Sequence, residues 1–187
     1  METRFRFILK IIMDKKDFIQ LAHEVFKLLG YKRKNSNWSS ETSELIRVFN
    51  LQKSMYGNSY YLNYGFIIKG LELRGLYDHV GGGFCYRDNE KRNHYMHKLL
   101  DCENDIPDEK RRKELRQVLE DLEKQISEVR TVDDVRQFIA DFNMSFQVPV
   151  YVCEYLGIER KRIIRKITIK SSWKWLVKHF CELFFIM

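Results

Sequence analysis

Between residues 59 and 69 aromatic and aliphatic side chains fall on every second position, at Tyr60, Leu62, Tyr64, Phe66 and Ile68. A two-residue period sustained over that length fits a half-buried strand and excludes an amphipathic helix. Upstream, residues 45–53 are rich in branched and aromatic side chains, and Met55-Tyr56-Gly57-Asn58 separates the two runs. Glycine and asparagine there suit a hairpin turn. A tight turn centred on Tyr56 and Gly57 sets the register: Asn50 faces Asn63, Gln52 faces Tyr61 and Ser54 faces Ser59. One face of the hairpin then carries the apolar row and must meet a helix layer. The other is a polar patch.

Helical spacing of Phe18, Leu21, Ala22, Val25, Leu28 and Leu29 predicts the first helix, with Asp14 as its N-cap and Gly30 as its stop. Beyond Pro107, Leu115, Val118, Leu119, Leu122 and Ile126 stripe a long amphipathic helix. Thr131 with Asp134 reads as a capping arrangement for the next one, whose buried face is Val135, Phe138, Ile139 and Phe142. Residues 31–38 read as a basic turn leading through Trp38 into a short first strand. Gly81-Gly82-Gly83 reads as a bend ahead of a further strand at residues 84–86, and residues 148–156 as a buried segment ended by Gly157. The fold class expected is α+β, an antiparallel β-sheet packed against an N-terminal helix and C-terminal amphipathic helices.

A chain of 187 residues suits one domain with its own core. Apolar residues at 44% and charged residues at 32%, with Gly 9 and Pro 2, leave little room for linkers. Met13 directly before the cap suggests that residues 1–12 are an N-terminal extension, in which residues 4–9 either pair as an edge strand or dangle. Residues 13–158 form the expected domain and residues 159–187 a separate tail. Cys85, Cys102, Cys153 and Cys181 are far apart and form no C-x-x-C pair, which favours free thiols in a reducing cytoplasm. No apolar run approaches the roughly 18 residues of a spanning helix.

The formal charge of +7 is uneven. Residues 159–187 hold eight Lys/Arg against two Glu, leaving 25 basic and 24 acidic residues in 1–158. Arg160, Arg162, Arg165 and Lys166, followed by Trp173 and Trp175, suit a membrane interface or an acidic partner. A terminal helix docked on the core with solvated lysines accounts for the same pattern. Nucleic acid is disfavoured, because the basic residues belong to no recognisable reading module.

Motifs of chemistry are scarce. The triple glycine lacks the Lys-Ser/Thr of a phosphate loop and the spacing of a dinucleotide fold. His94, His97 and Cys102 lack a second tight pair to complete a metal site. There is no Gly-x-Ser-x-Gly, and Asp133 with Asp134 reads as a solvated helix face. No catalytic residue, metal or cofactor is expected. What remains is the hairpin's polar set, Asn50, Gln52, Lys53, Ser54, Tyr61 and Asn63, whose amides and hydroxyls offer directional hydrogen bonds to a protein partner or a small polar ligand. An ordinary solvent face or a structural network is the alternative.

Asp14-Lys15-Lys16-Asp17-Phe18, Leu29-Gly30-Tyr31-Lys32-Arg33-Lys34 with Trp38, and Val48-Phe49-Asn50-Leu51-Gln52-Lys53-Ser54 running through Gly57-Asn58-Ser59-Tyr60-Tyr61-Leu62-Asn63 resemble a bacterial family known as domain of unknown function 4304. The resemblance covers roughly residues 13–70. It implies an α+β domain with an antiparallel sheet in a bacterial cytoplasm, and it brings no assigned activity. The tail after Gly157 departs from the family pattern. The function expected is a non-catalytic binding or interaction protein, immunity-like by analogy of size and fold. Peripheral membrane association through the tail, or an enzyme without a recognisable motif, are the alternatives.

Overall fold

The computed structural model describes residues 13–87, 89–142, 144 and 147–160. The expected extension at residues 1–12 and the tail beyond Arg160 lie outside the described residues. The elements in chain order are α1 (Lys15–Leu28), β1 (Lys32–Lys34), β2 (Asn37–Glu41), β3 (Leu45–Lys53), β4 (Tyr60–Ile68), β5 (Val80–Gly83), α2 (Glu90–Leu100), α3 (Asp108–Ser127), α4 (Val132–Asp141) and α5 (Val150–Leu156). The strands form one antiparallel sheet in the order β1-β2-β3-β4-β5, with α1 before it and the other helices after it. The α+β expectation holds.

The first helix begins as its sequence predicts. Asp14 accepts from the backbone of Lys16 and Asp17 at 2.7 and 3.0 Å, and the Asp17 carboxylate reaches back to the Asp14 N–H at 3.0 Å, a complete capping box. Hydrogen bonding to that N–H, and then Arg112, hold the Asp17 carboxyl below its ordinary range. The helix end departs from the prediction. Leu28 is 83% exposed and Leu29 44%, while Phe26 is buried. The reason is a tight reversal at Gly30 (φ +82°), in which Gly30 N donates to Lys27 O and Tyr31 N to Phe26 O. It folds Tyr31 back over Phe26, so the tyrosine ring closes that end of the core.

The hairpin is the clearest agreement. Strands β3 and β4 pair over their full length, with Asn50 opposite Asn63 and Gln52 opposite Tyr61, and Ser54 N donates to Ser59 O at 2.8 Å. Tyr60, Leu62, Tyr64, Phe66 and Ile68 are all buried. Two other strands differ from expectation. The basic turn is itself a hairpin, β1 against β2, reversing at Asn35 with φ +58°. The triple glycine, expected as a bend, lies inside β5, and residues 84–86 lie beyond that strand.

The helices gather on one face of the sheet. Phe18 of α1 stacks on Tyr60 at 4.7 Å, and Phe26 stacks on Phe49 at 4.5 Å with Trp38 and Tyr31 beside it. From α4, Phe138 meets Tyr64 and Phe66 edge-on. Leu115 and Leu119 of α3 and Leu100 of α2 meet Leu51 and Leu62 around a small apolar void. The unassigned segment is α5, which joins the same core through Val152, Cys153 and Leu156 and ends at Gly157 (φ +66°). Ion pairs from α3 to α1, Arg112 to Asp17 and Arg116 to Glu24, flank this packing.

One buried cation ties the helices to the hairpin tip. Arg111 is 2% exposed and donates to the carbonyls of Leu99, Asp101 and Asn104 around the C-terminal end of α2, where the helix dipole is negative. The segment it holds docks on the β3–β4 turn: Cys102 N donates to Asn58 O at 3.0 Å and Asn58 N to the Glu103 carboxylate at 3.3 Å.

Because Phe26 touches three other buried rings, Phe26→Ala is expected to lower stability by about 3 to 5 kcal/mol, measured by urea denaturation of the full chain. A loss below about 1 kcal/mol would contradict this account of the core.

Candidate functional site

Side chains alternate across a sheet, so the face opposite the helices is made by Asn37 and Ser39 of β2, by Ile46, Val48, Asn50 and Gln52 of β3, and by Tyr61, Asn63, Gly65 and Ile67 of β4. Asn37, Gln52 and Tyr61 are exposed, and Asn50 and Asn63 are half-buried. Four of the six residues predicted from the hairpin therefore meet on this outer face: Asn50, Gln52, Tyr61 and Asn63. Ser54 lies at its edge, where its hydroxyl accepts from Tyr56 N at 3.2 Å and shapes the turn. Lys53 belongs elsewhere. It pairs with the buried Tyr60 and so takes the parity of the helix-covered face.

The amides on the outer face form a directed ladder across three strands. Asn50 Nδ2 donates to Asn37 Oδ1 at 2.8 Å and lies 3.5 Å from the Ser36 carbonyl, which only accepts. That orients Asn50 Oδ1 toward β4, where Asn63 Nδ2 donates to it at 3.4 Å and to Gln52 Oε1 at 2.9 Å. With its NH2 group committed, Asn63 turns Oδ1 away from the ladder, to 3.8 Å from where a Cβ on Gly83 would stand. Asn37, the end of this ladder, was not among the predicted residues. The only sequence signal for it is its place beside Trp38 in a strand whose partner was unknown.

A second residue missed from sequence is Asp78. Strand β5 pairs Gly83 with Asn63 and Gly81 with Gly65, and the Asp78 carboxyl group fills the notch that the last two glycines leave. A Cβ on Gly65 would come within 2.6 Å of Asp78 Cγ, and one on Gly81 within 2.7 Å of Asp78 Oδ1 and 2.6 Å of the Tyr64 carbonyl. Glycine is thus required by close approach at Gly65 and Gly81. Burial raises the Asp78 pKa.

His79 anchors the loop that carries Asp78. Its ring is buried, Nδ1 accepts from Ile68 N at 2.8 Å, and Nε2 lies 3.2 Å from the Glu72 carbonyl, which fixes the proton on Nε2. Burial pulls its pKa down, against a smaller upward effect of the Glu72 carbonyl. This histidine is a neutral structural group.

The remaining polar clusters are closed. Asp121 receives Tyr86 Oη at 2.8 Å, Gln117 Nε2 at 3.1 Å and the Arg92 guanidinium, which also lies over the Tyr86 ring. Burial raises the Cys102 and Cys153 thiols, the opposite of nucleophile activation. His94 and His97 are exposed on α2 while Cys102 is buried, and among the described residues no three His, Cys, Asp or Glu could hold a metal ion. Asp133 is solvated and pairs with Arg136, and Asp134 closes the capping box with Thr131. In the tail, Arg160 is the last described residue and is exposed; Arg162, Arg165, Lys166, Trp173 and Trp175 lie outside the described residues. Among the described residues no helix is long and apolar enough to cross a membrane.

A family model described as a domain of unknown function (DUF4304) matches residues 22–157. The chain belongs to this family. The DUF4304 match runs well past the hairpin, through all five strands to the end of α5, and takes in both Asp78 and the asparagine ladder. It stops before the basic tail. No curated protein and no solved structure matches the chain.

The buried His79 makes stability depend on pH. Its folded pKa lies below the ordinary 6.5, so the stabilisation tied to its neutral form is complete above that value and is lost as pH falls through it toward the folded pKa. The urea midpoint is expected to drop between pH 7.5 and 5.5 in the wild type and to drop less in His79→Gln. Equal slopes in the two proteins would contradict this assignment.

Proposed function

We propose that this DUF4304 protein is a non-catalytic binding protein that engages a protein partner through the outer face of its sheet. The observation that carries the reading is the asparagine ladder Asn37, Asn50 and Asn63, oriented by hydrogen bonds on a face that none of the described helices covers. Preformed amide rows give directional contacts at low ordering cost, which suits recognition. Tyr61, 46% exposed beside Gln52, supplies an amphipathic contact of the kind enriched in interfaces. Burial makes His79 a neutral anchor and raises the Cys102 and Cys153 thiols, which favours a structural over a catalytic use of these three groups. A partner-neutralising role of the immunity type suits the size and α+β architecture by analogy. Cys85 and Cys102, outside any disulfide, suit a reducing compartment such as a cytoplasm.

A second reading rests on composition alone. The eight Lys/Arg of residues 159–187, with Trp173 and Trp175, favour attachment to an anionic membrane surface. Co-sedimentation with vesicles containing phosphatidylserine, abolished by deleting residues 159–187, is the result expected; binding that survives the deletion, or is absent in the full chain, would exclude it.

For the leading reading, tagged protein is recovered from its native host and co-purifying proteins are quantified, comparing wild type with Gln52→Ala/Asn63→Ala. One partner in near-stoichiometric amount, lost in the variant while its urea midpoint stays within about 1 kcal/mol of wild type, is expected. A partner retained by the variant, or no enriched partner, would contradict the outer face as the binding surface.

A further inference from the structure

Two hydrogen-bond acceptors stand on adjacent rows of the outer face with no donor committed to them. One is Asn63 Oδ1, turned toward Gly83 because its own NH2 group is spent on Asn50 and Gln52. The other is the Asp78 carboxylate, lying over Gly65 and Gly81. Among the described residues Asp78 has no hydrogen-bond or ion-pair partner. The basic residues flanking it in sequence are held elsewhere. Lys69 binds the Glu41 carboxylate at 3.0 Å and the Thr42 carbonyl at 2.7 Å, and the Arg74 guanidinium lies 4.4 Å from the centre of the Tyr151 ring.

Burial raises the Asp78 pKa, yet its oxygens are not among the fully buried polar atoms, so the carboxylate is open to an incoming donor. Residues two apart in a strand lie about 7 Å apart; Asp78 itself covers Gly65 and Gly81, so the open strip between the two acceptors is the one above Gly83, which carries no side chain. Such a strip admits a flat group lying against the backbone. Both flanking groups accept, and a planar cation with several donors complements such a pair.

We propose that the strip above Gly83 receives the guanidinium of an arginine side chain from the protein partner, with one edge donating to Asp78 and the other to Asn63 Oδ1. The proposal rests on the outer face being the binding surface and names the chemistry at its centre. A guanidinium satisfies both acceptors with one rigid group, whereas an ammonium is a compact charge that favours one of them.

The test uses the full chain labelled with 15N and Nα-acetyl-arginine methylamide as the probe, with the citrulline and lysine analogues as controls. Saturable shifts are expected at the Asn63 side-chain amide and the backbone amides of Gly65, Gly81 and Gly83, with the lysine analogue weaker and citrulline silent. Asp78→Asn should weaken binding by about tenfold or more while remaining at least as stable to urea at pH 7 as wild type, because it removes an uncompensated charge. A purely structural Asp78 predicts loss of stability instead. Shifts elsewhere, equal response to citrulline, a lysine response as strong as arginine, or an Asp78→Asn variant that binds normally or is destabilised would each overturn the proposal. Should the arginine probe fail while Gln52→Ala/Asn63→Ala still loses a protein partner, the outer face stands and only the guanidinium assignment falls.

Discussion

The pairing of β3 with β4 decides what each face of this protein can do. With Asn50 opposite Asn63, Leu45, Phe49 and Leu51 of β3 and Tyr60, Leu62, Tyr64, Phe66 and Ile68 of β4 enter the aromatic and aliphatic core under the helices, and Asn50, Gln52, Tyr61 and Asn63 are left on the open face. A shift of one residue would bury the amides and expose the rings. The same register places Gly65 where β5 brings Gly81 alongside it, and so makes the notch that Asp78 occupies. Core, ladder and notch therefore share one geometric cause.

Several long-range contacts keep that register from slipping. Phe26, stacked on Phe49, fixes α1 over β3, and Phe18, stacked on Tyr60, fixes it over β4. At the turn, the Asn58 backbone is bonded to Cys102 and Glu103 in the segment that Arg111 organises. At the other end His79 bonds to Ile68 N, so the loop leaving β4 is tied to its last residue. The outer face needs none of its own residues for core packing. That freedom is what lets its amides bond to one another across three strands.

Much of this was legible in the sequence where the signal is local. The alternation in β4, the Asp14 and Thr131 caps and the stripe of α3 each depend on residues within a few turns of one another, and all are found. The β1–β2 hairpin was read as one turn and a strand because β1 is short, basic and exposed on all three residues, which leaves no period to detect. Glycine is unfavourable in strands, so the run Gly81 to Gly83 reads locally as a bend; what requires glycine at Gly81, the approach of Asp78 and the Tyr64 carbonyl, is not visible in the local sequence pattern. The site was legible in the same proportion. Hairpin register gave Asn50, Gln52, Tyr61 and Asn63, whereas Asn37 and Asp78 enter through strands whose partners no local pattern names. Lys53 falls on the helix-covered face because the alternation of β3 continues to its last residue, opposite Tyr60.

The central claim is the β3–β4 register, and nuclear Overhauser contacts between Hα protons measure it directly. Ser54 and Ser59 form a hydrogen-bonded pair, so the alternation of antiparallel pairs makes Leu51 with Leu62, and Phe49 with Tyr64, the close non-hydrogen-bonded pairs. Strong Hα contacts within those two pairs, together with contacts between the Asn50 and Asn63 side-chain amides, are the predicted result. Strong Hα contacts from Asn50 to Leu62, or from Leu51 to Asn63, would contradict the register and with it the outer-face site.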